Sequence, residues 1–141
     1  MNPNKGNGVI SGNDAITWIN NEIWDDISSI EYKITGEFED VTFLGDPRTY
    51  KKYTGFTGEG TITLNKTRSR GAAILGQAFK TGNMPDVKIV TKLLNKSTGA
   101  TERVVLSGII FTEFGSSTEA KALVSEELPF TFSEYEVLEI M

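Results

Sequence analysis

Residues 29–39 read SIEYKITGEFE and alternate without a break. Ile30, Tyr32, Ile34 and Phe38 fall on one side, and Glu31, Lys33, Thr35, Glu37 and Glu39 on the other. A helix brings apolar side chains back at every third or fourth residue, so a period of two over this length predicts a long strand. One face of that strand is wet and the other apolar, and the apolar face demands a second layer to cover it. Gly36 interrupts the apolar side, a position that suits a bulge or a close contact. The alternation returns in GTITLN, where Ile62 and Leu64 oppose Thr61 and Thr63.

The rest of the chain supports a β-rich reading. Asn20-Asn21 stands between Ile16/Trp18 and Ile23/Trp24, and asparagine tolerates positive φ, so the pair reads as a hairpin turn. DVKIVTKLL at 86–94 reads as a strand and NKSTGAT at 95–101 as a turn. Residues 102–114, ERVVLSGIIFTEF, read as one long strand with apolar residues on both faces. Such a strand is central in its sheet or meets a neighbouring subunit. In LPFTFSEYEVLEI at 128–140, Phe130 and Phe132 share a face while Tyr135 and Val137 fall out of phase, which predicts a kink or bulge near Ser133.

Only residues 70–81, RGAAILGQAFKT, switch to helical spacing, with Ile74, Leu75, Ala78 and Phe79 on one side. Ser69 can cap the start and Gly82-Asn83 the end. Gly71 and Gly76 weaken this helix, so packing must hold it. The Asn/Gly-rich residues 1–14 predict a loose N-terminal arm, and residues 40–57, with Gly45, Pro47 and Gly55, a long loop. The expected architecture is a single mainly β domain over residues 1–141, a barrel or sandwich with one helix packed on its side.

Composition then narrows the chemistry. The chain has no cysteine and no histidine. Disulfides, thiolate chemistry, Cys/His zinc centres and imidazole acid/base steps are excluded. No apolar run approaches the ~20 residues of a membrane span, and MNPNKGNGVISGND lacks the apolar stretch of a signal peptide. A soluble protein kept in a cytosol is expected. Gly55, Gly58 and Gly60 crowd together, but a phosphate loop leads through Lys-Ser/Thr into a helix, and these glycines lead into a strand. They read as a bent strand entrance. Asp25-Asp26 and Glu126-Glu127 are adjacent, so a strand would aim each pair to opposite faces; with Glu37 and Glu39 they read as solvated surface and not as a calcium or acid/base site. Trp18 and Trp24 read as core. No catalytic set, cofactor site or metal site assembles from these residues.

Net charge is −5, unevenly placed. Residues 119–141 hold six acids against Lys121 and carry all of it. Residues 46–70 hold Arg48, Lys51, Lys52, Lys66, Arg68 and Arg70 against Asp46 and Glu59. With Tyr50, Tyr53 and Phe56 nearby, that segment has the ingredients of a nucleic-acid contact. The overall negative charge and the alternation of bases with Thr and Ser favour a solvated or subunit-facing role. Opposite patches on one small chain suit self-association. The six bases are therefore expected to meet Glu126, Glu127, Glu134 and Glu136 across subunit contacts.

The order of landmarks also resembles a family. The N-terminal Gly12…Trp18 hairpin and the EYKI strand are followed by TGFTGEGTITLNK and the short helix, then TGATERVVLSGIIF at 98–111 and EELPFTFSEYEVL at 126–138. Together these look like the tail tube proteins of contractile-tailed phages, defective prophages and phage-tail-like bacteriocins of Gram-positive bacteria, over nearly the whole chain. The resemblance implies hexameric rings that stack into a hollow tube inside a sheath, laid down around a tape-measure protein from a baseplate initiator in the bacterial host cytoplasm. In a phage the tube conducts DNA as passing cargo; in a tailocin it pierces the target membrane. Glu31, Thr35, Glu37 and Glu39 are then the expected lumen lining. Two other readings stand beside it: a β-sandwich binding module that grips a ligand through Trp18, Trp24 and the 40–57 loop, and the tube protein of a related contractile secretion system.

Overall fold

In a computed structural model, which describes Gly6 and residues 9–141, the chain forms two antiparallel sheets that face each other across one core. In chain order the strands are β1 (Ala15–Ile19), β2 (Glu22–Ile23), β3 (Ile27–Thr42), β4 (Thr49–Asn65), β5 (Ile89–Leu94), β6 (Thr101–Ser107), β7 (Ile110–Phe111), β8 (Ser125–Phe132) and β9 (Glu134–Glu139). One sheet has the order β2-β1-β5-β6-β9 and the other β3-β4-β8-β7. The mainly β class holds. Asn20 and Asn21 both take positive φ (51° and 69°) and close the β1–β2 hairpin as their side chains allow.

The core is filled by the alternating inner positions. Ile62 and Leu64 of β4, Leu128, Phe130 and Phe132 of β8, and Ile89, Val104 and Leu106 of β5 and β6 are all buried. Burial of such side chains contributes roughly 1.5–3 kcal/mol each. The glycines of TGFTGEG belong to this packing. A Cβ at Gly58 would enter the Phe132 ring, and one at Gly60 would meet Phe130 and the Glu31 carbonyl. They are clearances for aromatic rings, and the strand entrance is a bulge at Gly55.

Two expectations need correction. Residues 40–57 are no loop: β3 and β4 run on as a paired ribbon, and only residues 43–48 form the turn. Gly45 (φ 83°) and Pro47 mark that turn, while Gly55 sits at the bulge and lets β4 continue. Residues 102–114 are not one strand. The chain leaves the five-stranded sheet after Ser107, turns at Gly108 (φ 66°) and joins the four-stranded sheet as β7. The predicted irregularity near Ser133 is the return crossing, where β8 ends in one sheet and β9 starts in the other.

The helical segment splits into α1 (Arg70–Leu75) and α2 (Ala78–Thr81), with Gly82 (φ 78°) ending it as expected. Ser69 occupies the N-cap position without a side-chain bond. Leu75 and Ala78 are buried, whereas Phe79 is exposed and stacks on Phe114 at 5.8 Å. Of the expected loose arm, residues 1–5, 7 and 8 lie outside the described residues; Gly12–Asp14 form a single 3-10 turn capped by the Ser11 hydroxyl.

Candidate assembly surfaces

The outer face of the four-stranded sheet is the first surface. Strand register places Glu31 beside Thr61, Lys33 beside Glu59, Thr35 beside Thr57 and Ser29 beside Thr63. β8 adds Glu127, Pro129 and Thr131 on the same rows. The expected lining residues Glu31, Thr35 and Glu37 therefore share one polar face, and Glu39 continues it opposite Lys52. The alternation in β3 was the signal for its half of this face; the same signal in Thr61 and Thr63 locates the β4 half. Over its whole length the face carries Glu31, Glu37, Glu39, Glu59 and Glu127 against two bases, Lys52 and Lys33, and Lys33 pairs with Glu59 at 2.9 Å. That contact holds the Lys33 ammonium above its ordinary range. Between Glu31, Lys33, Glu59 and Thr131 lies an open recess of about 430 Å³.

The second surface is the edge of that sheet. β3 bonds only to β4, so its other edge is unpaired among the described residues for the length of the strand. Beyond Gly58, where β8 ends its pairing, β3 and β4 continue as a two-stranded ribbon. It carries exposed Phe38 against Tyr53 and exposed Phe43 against Tyr50, each pair edge-to-face at 5.7 Å. Isolated two-stranded ribbons are marginal in water, so these rings both stiffen the ribbon and leave apolar area unburied.

The charged segments divide differently from expectation. Arg70 and Glu126 are inside the fold, 8% and 3% exposed. Arg70 Nε bonds both carboxylate oxygens of Asp26 at 3.0 Å, with its guanidinium 4.4 Å from the centre of the Trp24 ring. Burial raises the Asp26 carboxyl, but the Arg70 bond, a backbone N–H and Thr67 outweigh it and hold the group below 3.8. Asp26 is thus buried and not solvated, because β3 has not yet begun there and its side chain turns inward. Glu126 accepts Lys66 Nζ at 3.0 Å and the Gly71 N–H at 3.1 Å. A strand carboxylate, in place of Ser69, occupies the start of α1, where negative charge is favoured. Arg48 pairs with Asp46, and Lys51 with Asp40. Lys52 and Arg68 make no ion pair among the described residues, and Glu127, Glu134 and Glu136 are exposed. Trp24 is core, while Trp18 is half-buried beneath Arg103 on the outer side of β1.

Residues 4–139 match the family described as phage tail tube protein. The chain belongs to that family. In Bacillus subtilis strain 168 it is similar to YqbM, 31% identical over 139 residues (96% of this chain, 94% of that protein). It is also similar to XkdM of the phage-like element PBSX from the same strain, 29% identical over 138 residues with the same coverage. In fold it is similar to a chain of the extracellular contractile injection system PVC, solved as a sheath–tube complex in the extended state: TM-score 0.76, 11% identity, 99% of both chains covered. As a tail tube protein it is a structural subunit of a tail.

Proposed function

We propose that six copies of this chain close a ring by edge-to-edge pairing of the four-stranded sheet, and that rings stack into a hollow tube whose lumen is the polar face. The free edge of β3 carries this reading. Its sixteen residues would present a long row of unpaired N–H and C=O groups, a template for uncontrolled pairing in a lasting monomer. A ring in which the β3 edge of one copy meets the edge that the next copy presents along β8 and its two-residue neighbour β7 gives those groups partners. Lys52 and Arg68, together with Glu134 and Glu136, are the charges left for pairing between copies; Arg48 and Lys51 can exchange partners at the same contact.

Five carboxylates and threonines against two bases, one of them paired, leave the face net negative, so it would pass a phosphate backbone without holding it. The role is structural and not enzymatic. A sheath protein, a tape-measure protein and a baseplate initiator are the expected partners, with DNA as cargo in a phage, or envelope piercing and transient contact with the target membrane in a tailocin. Assembly takes place in the host cytoplasm. The likeness to a sheath–tube complex and to a phage-like element's protein supports this reading.

The test is negative-stain electron microscopy over a concentration series, with light scattering alongside and baseplate-bearing seeds added in parallel. Six-fold rings or hollow tubes are expected. A protein that stays monomeric at every concentration and never extends a seed would overturn the proposal.

A further inference from the structure

Strand β7 stops after two residues, and Pro129 stands where it stops. β7 pairs Ile110 with Thr131 and Phe111 with Phe130. The next pair in that register is Thr112 with Pro129. The Pro129 carbonyl accepts the Thr112 N–H at 3.0 Å and the Thr112 hydroxyl at 3.3 Å. Proline has no N–H to return, so the ladder ends half-made. The chain then leaves the sheet. Residues 113–123 are exposed, and their one mutual backbone bond among the described residues runs from the Ala122 N–H to Glu119. Phe114 is seated against α1 instead of β8. Its ring lies 5.8 Å from that of Phe79, and a Cβ at Gly71 would come within 3.0 Å of the Phe114 Cβ, so Gly71 leaves the space that Phe114 takes.

This departure leaves an edge open. A strand in an antiparallel pair turns the N–H and C=O of one residue to the same side. Pro129 turns toward β7, so Glu127 and Ser125 turn the same way, and among the described residues no strand pairs with them there. Continued pairing would set Phe114 on Glu127 and Ser116 on Ser125. Residues 113–116, EFGS, hold no proline of their own. Pro129 and the seat of Phe114 are what oppose the closure. We infer that Pro129 keeps the chain after β7 from closing over β8, and so reserves the edge at residues 125–128 for the β3 strand of a neighbouring copy.

The inference rests on the ring reading and gives its contact a direction. β3 and β8 both run antiparallel to β4, so they point the same way. Copies in a ring all stand the same way up, so β3 of one meets β8 of the next in parallel. Ile62 and Gly60 turn their backbone groups to Leu128 and Phe130 of β8, so Thr61 and Glu59 turn theirs to Glu31 and Lys33 of β3. That leaves Ile30, Tyr32 and Ile34 turned to the free edge of β3. In a parallel pair, a residue turned to the neighbouring strand bonds the two residues that flank the one opposite it. Glu127 then stands opposite a residue such as Glu31 or Lys33, all on the polar side, and the polar face runs unbroken from copy to copy. Antiparallel pairing would set Glu127 opposite Tyr32 or Ile34 and join the polar side of one copy to the core side of the next.

Pro129→Thr supplies the missing N–H and keeps the face polar. Hydrogen exchange of the unassembled protein, read by mass spectrometry over residues 112–118 and 124–128, should slow about tenfold or more in the variant. Electron microscopy should show rings from the wild type and none from Pro129→Thr. Unchanged exchange would overturn the inference, as would wild-type rings from a variant whose exchange has slowed; rings from the wild type in the same experiment would leave the ring reading standing. Because the chain has no cysteine, Phe114→Cys with Glu127→Cys gives a second arm that leaves Pro129 in place. Oxidation of the monomer closes the edge and reduction reopens it. Rings should form only from the reduced sample, and rings from fully oxidised protein would overturn the inference. A wild-type protein that forms no rings even on baseplate-bearing seeds would overturn the ring reading and with it the neighbouring copy as occupant, while slowed exchange in Pro129→Thr would still support Pro129 as the residue that holds the edge open.

Discussion

Lys66 and Glu126 form an ion pair at 3.0 Å within one chain, and Glu126 is almost fully buried. The pair ties β4 to β8 and fixes the start of α1 through the Gly71 N–H. Lys66→Met should leave the carboxylate buried with half its partners and cost about 3 kcal/mol of stability. Urea denaturation of the unassembled protein checks this. It also means that charge reversal at Lys66 would disturb folding before assembly, so Arg68→Glu alone tests whether the basic segment joins subunits. Normal rings from Arg68→Glu would remove Arg68 from the contact.

Asp26 and Arg70 give a pH prediction. The Asp26 carboxyl is held below 3.8 in the folded state. Its contribution is therefore fully present above the ordinary carboxyl pKa and is lost as pH falls through the depressed folded value. Asp26→Asn should be destabilised by about 3 kcal/mol at pH 7, since it leaves the buried Arg70 with only the longer contact to exposed Glu22 at 3.5 Å. The gap between wild type and variant should narrow below pH 3.8. Denaturant midpoints at pH 7 and at pH 3 measure both quantities; an unchanged gap would show that Asp26 does not titrate as the geometry requires.

Gly108 and Ser133 mark two of the four places where the chain changes sheets, and they touch. A Cβ at Gly108 would overlap the Ser133 hydroxyl, and the backbone there is left-handed. Gly108→Ala should cost about 1–2 kcal/mol from the backbone alone, with the overlap added. Gly108→Ala with Ser133→Gly should recover only the steric part. Thermal melts of the three proteins separate the terms.

The sequence carried the architecture where side-chain period was strong and local. The polar and apolar sides of β3, the Asn20-Asn21 hairpin and the helical stretch were all legible in neighbouring residues. The ribbon was not, because its residues turn few side chains inward and the alternation fades into exposed aromatics; glycine at 45 and 55 then reads as loop. The split of residues 102–114 was hidden because both halves are apolar, and only Gly108 hints at the crossing. The interior roles of Asp26, Arg70 and Glu126 depend on partners 44 and 60 residues away. Charge counting along the chain cannot see such partners, so Lys66, Arg70 and Glu126 of a supposed surface pattern belong to the fold's own pairing.

The polar face makes a prediction about cargo. Glu31 and Glu37 are exposed and make no ion pair among the described residues, so Glu31→Lys with Glu37→Lys should leave the fold intact. A new like-charge neighbour such as Lys33 costs about 0.2–1 kcal/mol per cross-strand or same-face pair. If this face lines the lumen, each ring gains a belt of positive charge that holds phosphate. Wild-type tubes should protect no duplex DNA from nuclease, while variant tubes should protect fragments at 50 mM salt and release them at 200 mM, as counterion release requires. Variant tubes that bind DNA but leave it open to nuclease would place these residues on the outside, and tubes that bind none would remove Glu31 and Glu37 from the cargo's path.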